Sequence, residues 1–210
     1  MLDTAIMKLM AGPVKDMVDK RQREFSDMQK KKDPAWFSEL CFCILTANSK
    51  AKTAIQIQEE LGFNGFCTLS RPDLAACIRK HGHRFHNNKS GFITGARKHK
   101  DIKRKVHAQV REGGQLQARE WLVANIKGIG YKEASHFLRN VGFTELAILD
   151  RHILNILHSE GIIESRPKTL SKKTYLDIES RMEKVADRHS LCQSELDMYM
   201  WYMKTGEILK

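Results

Sequence analysis

The sequence predicts an all-α protein, and three observations support this fold class. Apolar residues recur at helical spacing along nearly the whole chain, and no segment shows the strict apolar–polar alternation of a half-buried strand. The chain contains only 4 prolines and no low-complexity tract, which leaves little room for a flexible linker. Its 210 residues, 41% of them hydrophobic, can bury a sizeable core in one domain or in two small lobes.

Capping and helix-breaking residues delimit the predicted helices of the first half. Asp33 and Pro34 are typical of an N-cap and a first-turn proline, and they precede the apolar run AWFSELCFCILTAN, which we expect to lie at the centre of the fold. A second helix is predicted over residues 50–61, before a glycine, and a third begins after Ser70. Residues 88–110 are predicted to form one long helix.

Glycines and further caps delimit the helices of the second half. The pair Gly113-Gly114 ends the long helix, and Asp150 is a predicted N-cap for RHILNILHSE. Ser190 and Gln193 have the spacing of a capping box. The helices themselves are predicted over residues 115–125, 131–141, 151–160, 172–188 and 190–205.

The charge and the cysteines exclude several classes of protein. Lys and Arg together number 36 against 25 Asp and Glu, and the net charge of +11 favours a polyanionic partner. No apolar run is long enough for a membrane-spanning helix, and the first residues lack a signal-peptide pattern, so we expect an intracellular protein. The 5 cysteines are odd in number and scattered, which argues against a disulfide framework and against a zinc site.

The segment Lys127-Gly128-Ile129-Gly130 lies between two predicted helices. Its two glycines allow a sharp turn and leave backbone N–H groups uncovered at the positive end of the following helix. Such a helix terminus is suited to bind a phosphate group. The alternative is that Gly128 and Gly130 form only a helix cap and a turn, where glycine is common.

Lys132 and Asp150 are the candidate catalytic residues. Lys132 lies in the first turn of the helix after the hairpin, where the helix dipole opposes a positive charge and favours the neutral, nucleophilic amine. Asp150 begins a helix after the apolar segment TELAIL, so its carboxylate can cap that helix and still face the same cleft. A carboxylate beside an amine can stabilise a cationic transition state or move a proton. The alternatives are a phosphate-binding lysine and a purely capping aspartate.

The sequence KGIGYKEASHFLRNVG followed by LDRHI strongly resembles the helix-hairpin-helix DNA glycosylases, and the resemblance extends over residues 33–210. It implies two helical lobes, residues 50–125 and residues 1–49 with 126–210, with the hairpin at their cleft. In this family a damaged nucleotide is flipped into the cleft. The lysine matched by Lys132 attacks C1′ and displaces the base, and the aspartate matched by Asp150 assists the departure of the base. The resulting Schiff base permits β-elimination, so such an enzyme is both glycosylase and lyase in base-excision repair.

The resemblance also indicates one branch of this family. Members with an iron–sulfur cluster carry four cysteines after the catalytic aspartate, whereas only Cys192 follows Asp150 here, so we expect no such cluster and no required cofactor. RFHNNKSGFITGARK and the final WYMKTGEILK are similar to the type-2 8-oxoguanine DNA glycosylases of archaea and some bacteria. That similarity implies that Lys210 recognises the oxidised base, that Trp201 stacks on it and that Phe85 forms a second wall. The alternatives are core packing for Trp201 and a frayed chain end for Lys210.

The resemblance further implies contacts with DNA. Asn48 lies where members of the family carry a residue that fills the gap left by the flipped base, and helix capping is the alternative role. The basic run of residues 97–111 is interpreted as a solvated helix face. A structural monovalent or divalent cation that bridges to a DNA phosphate is expected on the backbone carbonyls of Ala124, Ile126 and Ile129. The expected DNA-binding residues are Asn48, Lys50, Arg84, Gly128, Gly130, Arg151 and His152, with Lys52, Lys89, Arg97 and Lys98 as further candidates for phosphate contacts.

The sequence therefore predicts a bifunctional 8-oxoguanine DNA glycosylase and abasic-site lyase. We expect a monomer in the cytoplasm of a prokaryotic cell, acting on double-stranded DNA that contains 8-oxoguanine or abasic sites. One alternative is a sister glycosylase for another damaged base, which would differ in the pocket. Another is a non-catalytic helix-hairpin-helix module, which would keep Gly128 and Gly130 without needing both Lys132 and Asp150.

Overall fold

The structure is a computed structural model that describes residues 1–210, and its regular elements are all helical, which confirms the predicted fold class. A short 3-10 helix spans Arg97–His99. None of the helices combines the length and apolarity needed to cross a membrane. The α-helices are α1 (Leu2–Met10), α2 (Val14–Lys30), α3 (Asp33–Thr46), α4 (Ala51–Thr68), α5 (Arg71–Lys80), α6 (His86–Ala96), α7 (Ile102–Asn125), α8 (Tyr131–Asn140), α9 (Arg151–Ser159), α10 (Lys172–Arg188) and α11 (Gln193–Thr205).

The predicted helix ends at Gly62 and at Gly113-Gly114 are kinks within α4 and α7, where these glycines leave the helical conformation. The helices differ more strongly from the predicted ones in two other regions. Residues 1–32 contain α1 and α2, neither of which was predicted. The prediction of one helix over residues 88–110 was wrong, because the 3-10 helix Arg97–His99 separates α6 from α7. At this bend the Arg97 guanidinium donates to the carbonyls of Phe66 at 2.8 Å and Leu69 at 2.6 Å. Arg97 therefore fastens the bend to the end of α4.

Two of the predicted caps act in a different way. Asp33 is the first residue of α3 and not its N-cap, and its carboxylate accepts from the backbone N–H of Lys103 at 3.1 Å, in the first turn of α7. The Ser190 capping box was also wrong, because α11 begins only at Gln193. Its box is formed by Glu195, which accepts from the backbone N–H of Cys192 at 2.9 Å. The caps predicted at Ser70 and Asp150 are confirmed.

Two hydrophobic cores organise the helices. The larger one is centred on α3, whose apolar side chains from Trp36 to Leu45 are buried as predicted, and it includes residues of α4, α5, α6, α7 and α8. The second is formed by α1, α9, α10 and α11, and α2 packs against α11 in a small separate cluster. Side-chain packing thus groups α3 and α8 with the helices of residues 50–125. The predicted lobe boundaries placed α3 and α8 in the other lobe, and those boundaries stay a prediction.

A buried ion pair joins the two cores. Arg119 of α7 has no exposed surface and donates to both carboxylate oxygens of Glu179 of α10, at 2.6 and 2.7 Å. Glu179 also accepts from the backbone N–H of Ala147 at 2.8 Å, in the segment that leads to Asp150. The pair therefore holds that segment against α7 and α10.

Replacing Arg119 by Met should destabilise the protein strongly. The substitution leaves the Glu179 carboxylate buried without its cation, and we expect a loss of about 3–5 kcal/mol in the free energy of unfolding. Urea denaturation followed by circular dichroism measures this loss.

The double variant Arg119→Met/Glu179→Met should recover most of the lost stability, because no charge is then left buried. As a control, Lys30→Met breaks an exposed ion pair with Asp27 and should change stability by less than about 1 kcal/mol. Equal effects of Arg119→Met and Lys30→Met would show that the buried pair does not hold the cores together.

Candidate active site

The hairpin between α7 and α8 requires glycine at Gly128. Its φ is +91°, and a Cβ atom at this position would lie 2.3 Å from Cδ2 of Phe92, so conformation and space both exclude a side chain. Gly130 is the N-cap of α8, and its backbone N–H donates to the Glu133 carboxylate at 3.2 Å. One of the N–H groups that could face a phosphate is thus already paired within the protein.

Helix α8 carries three polar side chains along one wall of a pocket. Lys132, His136 and Arg139 line it at helical spacing. Lys132 lies in the first turn of α8, with its side chain 26% exposed and its Nζ 3.8 Å from a carboxylate oxygen of Glu133. The amine is therefore reachable from solvent while it faces an enclosed space.

Asp150 combines a structural and an accessible oxygen. It is the N-cap of α9, and its Oδ1 accepts from the backbone N–H groups of His152 and Ile153, each at 2.8 Å. Its Oδ2 accepts no hydrogen bond, and the residue lines the same pocket as Lys132. The capping interaction orients this carboxylate and leaves one oxygen available for chemistry.

A second carboxylate in the pocket is engaged with a cation. Asp197 of α11 accepts from the Arg139 guanidinium at 2.5 Å, and both side chains are buried. Burial raises the pKa of Asp197 to about 6 against the opposing charge of Arg139, and the carboxylate of Asp150 acts in the same direction as burial. Trp201 lies one turn further along α11, lines the pocket, and contacts the His152 ring edge-on at 5.0 Å between centroids.

The segment after α11 closes the pocket and is anchored to the core. Lys210 lines the pocket, and its Nζ donates to the Glu39 carboxylate at 3.0 Å and to the side-chain carbonyl of Gln58. The same ammonium lies 4.5 Å from the centroid of the Phe42 ring. Glu39 is only 2% exposed. Lys210 is therefore held by buried groups and is not a frayed chain end.

The structure brings together four of the residues selected from the sequence. Lys132, Asp150, Trp201 and Lys210 share one pocket, although their individual roles stay predictions. His136, Arg139 and Asp197 also line the pocket and were not predicted from the sequence. Each missed residue lies at helical spacing from a selected one, four or seven residues after Lys132 or four before Trp201. That spacing was the available signal.

Other selected residues lie outside this pocket. Phe85, predicted as its second wall, does not line it; the ring stacks against the Arg84 guanidinium at 4.7 Å. Asn48 is exposed between α3 and α4 with a φ of +59°, a conformation that Asn tolerates. The side chains of Lys50, Arg84 and Arg151 are exposed, as DNA contacts require, and His152 is partly buried.

Two basic residues predicted to contact phosphates donate hydrogen bonds to backbone carbonyls within the protein. Lys89 is buried and donates to the carbonyl of Ile44 at 2.6 Å, at the end of α3, and burial lowers its pKa to about 8. Arg97 binds the end of α4. The phosphate contacts predicted for Lys89 and Arg97 are therefore at odds with this geometry, because both head groups are engaged by backbone carbonyls.

The carbonyls expected to hold a cation fit that task. The backbone oxygens of Ala124 and Ile129 accept no hydrogen bond within the protein, and that of Ile126 accepts only from the Ile129 N–H at 3.3 Å. They lie where α7 ends and its last carbonyls lack helical partners. Unpaired carbonyl oxygens are suitable ligands for hard cations.

An all-helical fold in which a lysine in the first turn after a glycine hairpin shares one pocket with a helix-capping aspartate is that of a helix-hairpin-helix DNA glycosylase. The family model for 8-oxoguanine DNA glycosylase matches residues 18–191, and the chain belongs to this family. It is 48% identical over 210 residues to the 8-oxoguanine DNA glycosylase/AP lyase of Methanocaldococcus jannaschii, covering 100% of both chains. The enzyme of the same name from Korarchaeum cryptofilum is 45% identical over 98% of this chain and 96% of that protein.

Solved structures show the same likeness. The M. jannaschii 8-oxoguanine glycosylase/lyase, in complex with a 15mer DNA containing 8-oxoguanine, matches with a TM-score of 0.96 and 47% identity over 100% of this chain and 99% of that one. The 8-oxoguanine DNA glycosylase of Thermotoga maritima matches with a TM-score of 0.92 and 39% identity over 100% and 98%. An endonuclease III–DNA complex, at 15% identity, shares the fold alone, with a TM-score of 0.55 over 90% and 85%.

Replacing Gly128 by Ala should destabilise the hairpin in two ways, because the backbone conformation disfavours a side chain and the new methyl overlaps Phe92. Gly161 provides the matched control, since its φ is +70° but a Cβ atom there would meet nothing within 4 Å. We expect Gly128→Ala to lower the free energy of unfolding by at least about 1 kcal/mol more than Gly161→Ala, because the new methyl overpacks against Phe92. Urea denaturation measures the free energy of unfolding, and the affinity for duplex DNA shows whether the hairpin can still bind DNA.

DNA affinity should fall for Gly128→Ala and stay unchanged for Gly161→Ala. If both variants lose equal stability and both retain DNA binding, the hairpin tolerates a side chain and Gly128 only permits the turn.

Proposed function

We propose that the protein is a bifunctional 8-oxoguanine DNA glycosylase and abasic-site lyase of base-excision repair. The observation that carries this proposal is that Lys132 and Asp150, from separate helices, line one pocket next to the hairpin. The full-length similarity to enzymes of that name supports the same activity. A non-catalytic DNA-binding module would have no need for an amine and a carboxylate in one pocket.

The first step of the proposed reaction releases the base. Lys132 Nζ, as the neutral amine, forms a bond to C1′ of the flipped nucleotide while the C1′–N9 bond breaks. The electron pair of that bond leaves with the base, which takes up a proton. Asp150 stabilises the positive charge that develops on the sugar and accepts the proton that the attacking amine loses. Its fixed position as a helix cap keeps it in place during both events.

The second step cuts the strand. The sugar ring opens to give a Schiff base between C1′ and Lys132. Loss of a proton from C2′ then drives cleavage of the bond between C3′ and its oxygen, and the 3′ phosphate leaves with the electron pair. Water finally hydrolyses the imine and frees the lysine for another cycle.

Recognition of the base requires both stacking and polar contacts. Trp201 supplies a stacking surface, worth about 1–3 kcal/mol per base but tolerant of base identity. Discrimination between 8-oxoguanine and guanine must then come from polar groups that sense the hydrogen on N7 and the oxygen on C8. Lys210 lines the same pocket, which supports a contribution of its polar groups to this discrimination.

The proposed partner is double-stranded DNA, bound by a monomer. The net charge of +11 and the exposed side chains of Lys50, Arg84 and Arg151 suit the phosphate backbone. A cation held by the carbonyls of Ala124, Ile126 and Ile129 would neutralise one DNA phosphate. Because the relatives come from archaea and bacteria, we place the protein in the cytoplasm of a prokaryotic cell, at the nucleoid.

Lys132→Gln should abolish Schiff-base formation and leave DNA binding largely intact. The amide lacks a nucleophilic nitrogen but keeps the approximate length and polarity of lysine. Borohydride trapping on a duplex with one 8-oxoguanine should give a covalent adduct with the wild type and none with the variant.

Three results would each correct a different part of the proposal. A trapped adduct with Lys132→Gln would overturn the choice of nucleophile. An adduct of the wild type on abasic DNA alone would keep the chemistry and change the base. Tight binding without any adduct, on either substrate, would indicate the non-catalytic module.

Asp150→Asn and Asp150→Ala should separate the capping role from the chemical one. Asn retains an oxygen that can accept from His152 and Ile153, whereas Ala removes the cap and should lower stability by about 1 kcal/mol. Both variants should release the base at least about a hundredfold more slowly, since both lack the carboxylate. Single-turnover excision and thermal unfolding measure the two effects; wild-type excision by Asp150→Asn would reduce Asp150 to a cap.

A further inference from the structure

His136 is a buried polar residue of the pocket that the proposed reaction does not use. It lies one helical turn after Lys132 on α8, is only 7% exposed, and lines the pocket. Neither of its ring nitrogens forms a hydrogen bond within the protein, although both are buried. Buried polar groups are usually paired, because an unpaired one loses its bonds to water without replacement. Two unpaired nitrogens on one ring at a binding pocket point to a ligand that pairs with them.

The surroundings of His136 keep its imidazole neutral. Burial lowers its pKa well below the usual value, and the positive charges of Arg139 and Lys132 act in the same direction. The backbone of Lys210 lies close enough to act weakly in the opposite direction, and the ring of Phe42 packs edge-on at 5.6 Å between centroids. A neutral imidazole offers one N–H donor and one acceptor lone pair.

The unprotonated nitrogen of the neutral ring can accept a hydrogen bond from a molecule in the pocket. An acceptor at this position distinguishes two purines. 8-Oxoguanine carries a hydrogen on N7 and can donate to it, whereas N7 of guanine carries a lone pair and is repelled.

We propose that His136 is a specificity-determining residue, whose unprotonated ring nitrogen accepts a hydrogen bond from an N–H group of the oxidised purine in the pocket. This inference rests on the proposed function and adds to it the group that recognises the base.

The test compares base excision with cleavage of a preformed abasic site, which contains no base to recognise. His136→Phe keeps a planar aromatic ring without either nitrogen, and His136→Leu replaces it if the variant with the larger ring does not fold. His136→Gln restores a side-chain acceptor. We expect single-turnover excision of 8-oxoguanine to fall at least about tenfold in His136→Phe, with abasic-site cleavage within about twofold of the wild type and partial recovery in His136→Gln.

His99→Phe is the matched control. His99 is also buried with an unpaired Nε2, but it contacts Trp121 edge-on and lies outside the pocket. It should leave both rates unchanged. Normal 8-oxoguanine excision by His136→Phe would overturn the inference, as would equal losses of excision and abasic cleavage, or an equal loss in His99→Phe. Trapping of the wild type on abasic DNA tests the proposed lysine chemistry separately, so failure of one is distinguishable from failure of the other.

Discussion

A buried network of hydrogen bonds holds the three walls of the pocket in register. Its centre is a pair of adjacent residues at the end of α8. Arg139 binds Asp197 of α11 at 2.5 Å and the side chain of Asn140 at 3.1 Å, and Asn140 donates to Glu39 of α3 at 2.7 Å. Glu39 in turn accepts from Lys210 at 3.0 Å. One connected network thus links the helix of the nucleophile to the helix of Trp201 and to the segment that closes the pocket.

The stabilising effect of such a network depends on the pairing of every buried charge in it. Buried charges lose their hydration, and the loss is offset only when every member finds a partner in good geometry. The network meets this condition by pairing Asp197 with Arg139 and Glu39 with Lys210. It also separates the roles of the two pocket carboxylates. Asp197 accepts from the Arg139 guanidinium through Oδ2, whereas Asp150 accepts only backbone N–H groups, through Oδ1.

The parts of the site that lie within one stretch of sequence could be predicted, and the distant parts could not. The hairpin glycines, Lys132 and Asp150 carry local signals, namely a glycine turn and a helix cap, which do not depend on the rest of the fold. Helical spacing from Lys132 also indicates His136, once α8 is known to face a pocket. The partners of Lys210 lie on α3 and α4, far away in sequence, and no local pattern pairs them. Only the tertiary packing shows those contacts.

Contacts between distant parts of the chain explain the predictions that were wrong or at odds with the structure. A lysine in a basic sequence is usually solvated, yet Lys89 lies under the end of α3, where the helix dipole and the Ile44 carbonyl compensate its charge. Arg97 likewise serves a bend of the chain. The missed helices α1 and α2 are short or strongly polar outside a narrow apolar stripe, and they are stabilised by contacts with α9, α10 and α11 that the local sequence does not contain.

The ion pair between Lys210 and Glu39 gives the segment after α11 a structural role beside its predicted role in base recognition. Glu39 is 2% exposed, and Lys210 is the only cation bonded to it. Without that ammonium the carboxylate would stay buried and uncompensated, which is strongly unfavourable. The ammonium therefore anchors the segment that contributes Ile208, Leu209 and Lys210 to the lining of the pocket. A loss of base selectivity on removing Lys210 would then reflect a missing wall as much as a missing contact, whereas His136, fixed within α8, recognises the base from a position that the anchor does not determine.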